Sequence, residues 1–443
     1  MNKFNFNLTS NSYVEPGEEC LYNQYNLTQE EGRHEVVIAG VDNGSTQVRT
    51  VLVRLEDEVE ALEEIYVIPS SYTKVGLSDT ITSGGDNLYH KMDSAIICNI
   101  EEEKSKFKSL RVVRGSKSLN ADGVVSRLNS SNQKVDSEAF YINLIDGLVY
   151  SLIMDCQKRN TPLAEMYDIY LGASLPPDEA GSKVNNKTFT DAILGSFQWT
   201  AMEYGIKITI NIKDVKVLTE SESAIKAYCI MNSFEIPENT LCIEDGGMNS
   251  SCALLKEGIL YPPASRTFQQ SGSKMIDALA KEYVDNKGGS APKAQAMRIA
   301  LETGKYKRAN LEEDIVELIK GVKKSHGSKL LTALKEQVFG TQSAIGMDEI
   351  GAILFSGRSF RSGAYNYSAA EVIKEAFTEL GTGCEFITTE DYLIPTGNAI
   401  FATKYFLANL ARNTHEIGYL PIDEDEDEDE VLDEEENSVE IEA

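Results

Sequence analysis

Two short stretches carry the residue types best suited to holding an anion. The first, DNGST at Asp42–Thr46, joins two runs rich in β-branched residues, VVIAGV and VRTVLVR. Glycine lets backbone approach a ligand closely, and successive N–H groups in a tight turn form a concave donor site for anions. The hydroxyls of Ser45 and Thr46 add donors that rotate to meet phosphate oxygens. The carboxylate of Asp42 repels a bare phosphate. It makes sense where a hydrated Mg²⁺ lies between, because that ion keeps most of its waters and accepts carboxylates in its outer shell. Arg49, on the returning run, is placed to compensate charge. Taken alone, Asn-Gly between two strands is commonly just a turn.

The second stretch changes that balance. TLCIEDGGMNSSCALLKEGIL, from Thr240 to Leu260, again has an apolar run, a polar glycine turn and a second apolar run. Two such hairpins, roughly two hundred residues apart, suggest a duplicated fold whose halves face each other.

The elements that must position these turns can be read around them. At 443 residues the chain exceeds the usual size of one core, so two domains, or two halves of a larger α/β unit, are expected. Residues 1–34 look like a flexible arm. Residues 35–215 form a first lobe, with a Ser-, Asn-, Gly- and Lys-rich small subdomain inserted at about 74–135. Ser137 opens a helix whose Ile142, Ile145, Leu148, Val149, Leu152 and Ile153 share one face. YDIYLGASLPP and KITINIKDVKVL read as strands. Residues 216–397 form a second lobe, with an inserted helical subdomain at about 271–340 that includes a charged helical region from Pro292 to Leu334. A final helix, 398–415, returns to the first lobe.

Composition narrows the function classes. The net charge is −28, and Asp423–Ala443 carries half of it, with no base. Direct binding to nucleic acid is disfavoured. The segment 416–443 is too self-repelling to fold and reads as a disordered tail that binds a basic partner, keeps an assembly from bundling, or simply solubilises the chain. The start has no signal-peptide core, no uncharged run is long enough to span a bilayer, and the seven cysteines form no CxxC pair. A reduced, cytoplasmic protein without a membrane partner is expected. His34, His90, His326 and His415 have no metal spacing, and neither a G-x-x-x-x-G-K-[ST] loop nor a G-x-S-x-G elbow is present.

At this point the residues carry a resemblance. DNGSTQVR resembles the first phosphate hairpin of the actin, heat-shock chaperone and sugar-kinase ATPase superfamily, and is most similar in type to the plasmid-segregating bacterial actins (ParM, StbA and Alp). EDGGMNSS resembles the second phosphate hairpin, and KVLTESESAIKAY the connecting segment in which a glutamate opens a small-residue helix. AMRIALETGKYKR resembles the helix that contacts adenine and ribose, ILFSGRSFRSG the adenosine segment, and YLIPTGNAIFATKYF the final connecting helix. The motifs run in the family's order over residues 35 to about 412.

The resemblance implies an α/β, duplicated actin/chaperone-type ATPase fold with ATP, or GTP, and Mg²⁺ in the cleft between two lobes. Asp42 would position magnesium waters, with Asn43, Gly44, Ser45, Thr46 and Arg49 around the phosphates. Gly246, Gly247, Met248 and Asn249 would hold them from the other side, together with Gly272. Glu220 would polarise the attacking water, although an acid at a helix start is favourable in any case. Glu244 stands where the family has an aspartate, and Asp245 where it has an apolar residue, so either acid would face the metal through water. Glu302 and Lys305 would contact ribose or adenine, the alternative being an exposed ion pair. Ser356, Gly357, Arg358 and Ser359 would lie beneath the nucleotide, with a helix cap explaining the serines almost as well.

The function so implied is a filament-forming ATPase that moves plasmid or phage DNA through a ParR-like, DNA-bound adaptor. The alternatives are a chaperone-type ATPase or nucleotide switch that does not polymerise, a sugar or acetate kinase, and, given Glu244, a non-catalytic structural filament. The first would respond to unfolded peptide, the second would phosphorylate a small metabolite.

Overall fold

A computed structural model describes residues 13–14, 28–44, 47–54, 65–70, 72–76, 93–99, 110–114, 125–126, 133–201, 206–308, 311–340, 345–381, 383–389 and 393–415. Met1–Lys404 form one compact unit. The acidic segment 416–443 and most of the arm 1–34 lie outside the described residues. Tyr405–Ala443 are a separate unit, and its described part is the end of the last helix.

The first sheet follows from long alternating or apolar runs. Its strands are β1 (Tyr13–Val14), β2 (Gln29–Asn43), β3 (Gln47–Arg54), β4 (Ile65–Pro69), β5 (Tyr72–Val75), β6 (Asp93–Asn99), β7 (Leu110–Arg114), β8 (Val125–Ser126), β9 (Leu163–Leu175), β10 (Gly195–Ala201) and β11 (Ile206–Thr219). They lie in the order β1-β4-β3-β2-β9-β11-β10-β6-β7-β5-β8. β2 and β11 both run parallel to β9, and β2–β3 is an antiparallel hairpin in which Asp42 opposes Arg49 and Asn43 opposes Val48. Helix α1 (Glu138–Arg159) packs on β2, β3 and β4 and is buried from Ala139 to Cys156. It is the one helix among the described residues long and apolar enough to cross a membrane, and it is spent on this core. Each buried Leu or Ile there stabilises the fold by about 1.5–3 kcal/mol. Short helices α2 (Pro177–Ala180) and α3 (Lys183–Ile193) follow β9.

Helix α4 (Glu220–Asn232) leaves the first sheet and packs on the second. Thr219 caps it, accepting from the Glu222 N–H at 3.0 Å. The second sheet contains β12 (Asn239–Asp245), β13 (Ser250–Lys256), β14 (Ile259–Leu260), β15 (Arg266–Phe268), β18 (Ala352–Gly357) and β19 (Glu385–Thr388), in the order β14-β13-β12-β18-β19 with β15 on β13. It repeats the plan of the first. β12–β13 is an antiparallel hairpin, with Glu244 opposite Ser251 and Asp245 opposite Ser250, while β12 is parallel to β18.

Between β15 and β18 come helices α5 (Gly272–Lys287), α6 (Ala294–Thr303) and α7 (Val316–Gln337), and the hairpin β16 (Lys305–Arg308)–β17 (Leu311–Asp314). The charged region expected to be helical throughout is therefore interrupted by strands, because Gly304 in a left-handed conformation (φ 77°) stops α6. Helices α8 (Ala370–Glu379) and α9 (Leu393–His415) complete the described residues.

Three boundaries differ from the reading of the sequence. β2 begins at Gln29, inside the expected arm, because Gln29 and Glu30 pair with Leu163 and Ala164. The last helix begins at Leu393 rather than 398. The strands of the inserted segment do not stand apart: β6 pairs with β10, so β6, β7, β5 and β8 extend the first sheet.

Candidate functional site

Both polar turns open onto one cleft. Its wall includes Asp42, Gly44, Gln47 and Arg49 from the first hairpin and Glu244, Asp245, Gly246, Gly247, Met248 and Asn249 from the second. Each turn has a local reason for its glycine. Gly44 donates its N–H to the Gln47 carbonyl (3.0 Å), closing the first turn. In the second, a Cβ on Gly246 would stand 2.9 Å from the Asn249 carbonyl oxygen and 3.2 Å from Glu244 Oε1. The Gly246 and Gly247 carbonyls accept the Gly272 and Ser273 N–H groups, at 2.9 and 3.1 Å. The second turn is thereby seated on the start of α5, whose cap Ser271 accepts from the Lys274 N–H.

The floor of the cleft is acidic. Glu220, first residue of α4, enters beside Asp42 and Glu244. Burial, then the negative charges of Glu220, Asp42 and Asp245, push Glu244 well above the usual carboxylate range, with Lys134 pulling the other way. Lys134 pairs with Glu220 and sits 3.3 Å from the Asn43 carbonyl. Burial opposes its charge, yet Glu220 and Asp42 outweigh burial and hold the ammonium above its ordinary range. Arg49 bonds Asp42 at 3.1 Å and Gln47 at 3.2 Å.

The remaining wall comes from Gly272, Ser273, Met275 and Ile276 of α5, Arg298, Leu301 and Glu302 of α6, Lys323 of α7, and Ser356, Gly357, Arg358, Arg361 and Gly363 at and after the end of β18. Gly357 has φ +113°, and a Cβ there would meet the Asp245 carbonyl oxygen at 2.4 Å, so the strand exit tolerates only glycine. The Arg358 guanidinium is half-exposed and 4.0 Å from Glu302.

Several expected site residues lie off the wall or turn their side chains away from the cleft. Asn43 is turned into the first lobe, donating to the Phe140 carbonyl at 2.6 Å, and is not on the cleft wall. The side chain of Asp245 is enclosed: Oδ1 accepts from Ser250, and Oδ2 lies 3.0 Å from His326 Nε2 on α7. Of the two adjacent acids it is Glu244 whose carboxyl shares the cleft floor with Asp42 and Glu220, because successive residues of a strand point to opposite faces. Lys305 is not on the wall; it lies on β16 and pairs with Glu312 at 2.7 Å, both exposed. Ser359 is fully buried and off the wall. Ser45 and Thr46 lie outside the described residues.

Reading the sequence missed Lys134, Glu179, Arg298, Lys323 and Arg361 on the wall and His326 behind it. Only Lys323 and His326 had a signal: they fall with Ile319, Val322 and Leu330 on the buried stripe of α7, where a polar residue needs a partner.

The donor set suits a hard cation held through water. Asp42, Glu220 and Glu244 offer oxygen ligands, and the neighbouring negative charges that raise Glu244 are what a cation would relieve. Among the described residues no three potential ligands stand close enough to chelate a metal directly.

Two facing, duplicated sheets with a hairpin turn from each on one cleft define the actin-like fold, and the chain has it. Comparison with solved structures bears this out. An archaeal actin homologue superposes with a TM-score of 0.61 at 12% identity, covering 83% of this chain and 99% of its own. The actin-like protein Alp7A gives 0.61 at 13%, covering 87% and 100%. ParM proteins are similar too: that of Bacillus thuringiensis, solved with ATP, gives 0.56 at 12% identity, covering 84% and 100%, and one from Clostridium botulinum, solved as a 15-stranded filament, gives 0.55 at 13%, covering 84% and 99%. No family model matches the sequence, and no curated protein matches it.

Proposed function

We propose that the chain is an ATPase that polymerises into filaments with ATP and Mg²⁺ and moves plasmid or phage DNA through a ParR-like adaptor. The observation that carries this reading is the meeting of both glycine turns, Glu220 and Glu244 in one cleft. Phosphoryl transfer asks a protein mainly for positioning and charge compensation. The turn N–H groups bind the phosphates from two sides, Glu220 orients the water, and Arg49 and Lys134 offset charge. A magnesium ion, held through its waters by Asp42 and Glu244, would neutralise the phosphate oxygens. Leu301, Ile276 and Met275 supply apolar wall for the purine, with Glu302 and Arg358 at its polar edge.

Self-assembly is supported by the likeness to a ParM solved as a filament, and nucleotide use by the likeness to structures holding ADP and ATP. The net charge of −28 favours contact with DNA through a basic adaptor rather than directly. The acidic segment 416–443 carries the charge that would attract such a basic partner. The test is light scattering and phosphate release from purified protein with ATP or GTP and Mg²⁺, followed by electron microscopy. Scattering that rises with nucleotide and then decays supports the reading; protein that stays monomeric and hydrolyses nothing sinks it.

A further inference from the structure

We propose that Lys134 is the residue by which the cleft distinguishes a nucleoside triphosphate from a diphosphate: its ammonium masks Glu220 until a terminal phosphate draws it away. This rests on the ATPase reading above.

Charge near the first turn is unbalanced. Asp42, Glu179 and Glu220 line the cleft there with the carboxyl of Glu244 among them, and a triphosphate must enter against them. Arg49 is held by Asp42 and Gln47. Lys134 is differently placed. Its ammonium bonds Glu220 on one side and the Asn43 carbonyl on the other, and Asn43 immediately precedes Gly44 of the turn. The cation therefore stands between the acid that would orient water and the loop that would hold phosphate.

Its anchorage leaves the charge able to move while the backbone stays fixed. Glu179 accepts the Lys134 N–H through Oε1 (3.0 Å) and the Val135 N–H through Oε2 (3.2 Å), and the Val135 carbonyl accepts from the Tyr141 hydroxyl at 2.7 Å. The ammonium sits beyond these bonds, at the end of a flexible four-carbon stem with three rotatable donors. A terminal phosphate bears more charge and more acceptor oxygens than one carboxylate, so it wins the ammonium. Glu220 is then released to the attacking water. The water oxygen bonds to the terminal phosphorus and the bond to the bridging oxygen breaks, its electron pair leaving with the diphosphate. The proton of the water passes through Glu220 to the released phosphate. With a diphosphate the ammonium has no such partner and stays on Glu220.

Binding of a non-hydrolysable ATP analogue and of ADP, each with Mg²⁺, together with single-turnover hydrolysis of ATP, tests this in wild type, K134M, K134R, E179Q and E220Q. K134M should lose about ten- to a hundredfold in affinity for the analogue, the worth of one charge-assisted hydrogen bond, with ADP affinity little changed. Its hydrolysis should slow by about a hundredfold, and K134R should recover part of the preference for the analogue. E179Q, which loosens the anchorage, should slow hydrolysis more than it weakens binding. E220Q gives the result a structural role would not: with the mask removed, the analogue should bind more tightly than to wild type while ADP does not. Equal weakening of both ligands in K134M, or analogue affinity unchanged in E220Q, overturns the proposal. Should K134M fail to fold by circular dichroism, E220Q decides alone. If wild type binds neither nucleotide, the ATPase reading itself has failed.

Discussion

Asp245, at the end of β12, and His326, in the middle of α7, form a buried pair with Oδ2 and Nε2 3.0 Å apart, across 81 residues of sequence. The other oxygen of Asp245 accepts from Ser250 on the facing strand. A helix of the inserted segment is thus tied to the strand that carries the second glycine turn. Replacing His326 with leucine leaves one carboxylate oxygen buried without its partner. A loss of about 1–3 kcal/mol is expected. Urea titration of H326L against wild type measures it; an unchanged midpoint would contradict the role assigned to the pair.

The junction of α9 with the first sheet depends on two glycines that are strand partners, Gly40 on β2 and Gly172 on β9. A Cβ on Gly172 would lie 2.1 Å from the Asn398 carbonyl oxygen, and one on Gly40 2.2 Å from the Ala399 nitrogen. Asn398 also donates to the Val41 carbonyl at 2.8 Å and to Ser174 at 3.1 Å, while Ser223 of α4 donates to its Oδ1. Gly172→Ala should push the helix off the sheet and cost about 1–3 kcal/mol. Thermal melts of G172A and G40A are the measure. Melting temperatures equal to wild type would show that the crossing has slack.

Glu220 and Glu244 are expected to act on chemistry rather than on folding. Glu220→Gln should slow steady-state phosphate release by about a hundredfold, the lower end of what a positioned acid or base contributes. Glu244→Ala should raise the magnesium concentration needed for half-maximal hydrolysis. A variant of either residue that hydrolyses ATP as wild type does would remove that acid from the proposed machinery.

Lys323 makes a prediction in pH. It is buried, donating to the carbonyls of Arg361 at 2.6 Å and Tyr367 at 3.2 Å, and lies 4.8 Å from the centre of the Tyr365 ring. Burial lowers its pKa to about 8, against the pull of Glu302, from an unfolded value of 10.5. Between those values the unfolded chain binds the extra proton, so the contribution of Lys323 to stability is flat below pH 8 and rises with pH above it. At about 1.4 kcal/mol per unit, wild type should gain about 2 kcal/mol relative to K323M between roughly pH 7.5 and 9.5. Denaturation of both proteins at the two pH values tests the sign; a difference that shrinks with pH is the opposite of what is expected.

What could be read without coordinates was local. Both hairpins were legible because a polar glycine turn between two apolar runs has few other solutions, and α1 was legible from the spacing of its apolar residues. Glu220 was reached through the resemblance of KVLTESESAIKAY to a segment in which a glutamate opens a helix after a strand. Lys305 misled because helix and hairpin share a charged composition, and a single left-handed glycine at Gly304 separated them.

The amino-acid order by itself therefore determined the two turns, the strands that carry them and the duplicated plan, since these depend on neighbours within a few residues. Tertiary structure alone decided which acid faces the cleft. Both sides of β12 are packed, Leu241 and Ile243 in one cluster and Cys242 in another, so alternation could separate Glu244 from Asp245 but not assign either to the cavity. It also decided which cation meets Glu220 and which histidine meets Asp245, because those partners arrive from 86 and 81 residues away, and polar groups so distant in sequence pair only once the chain has buried the surfaces that bring them together.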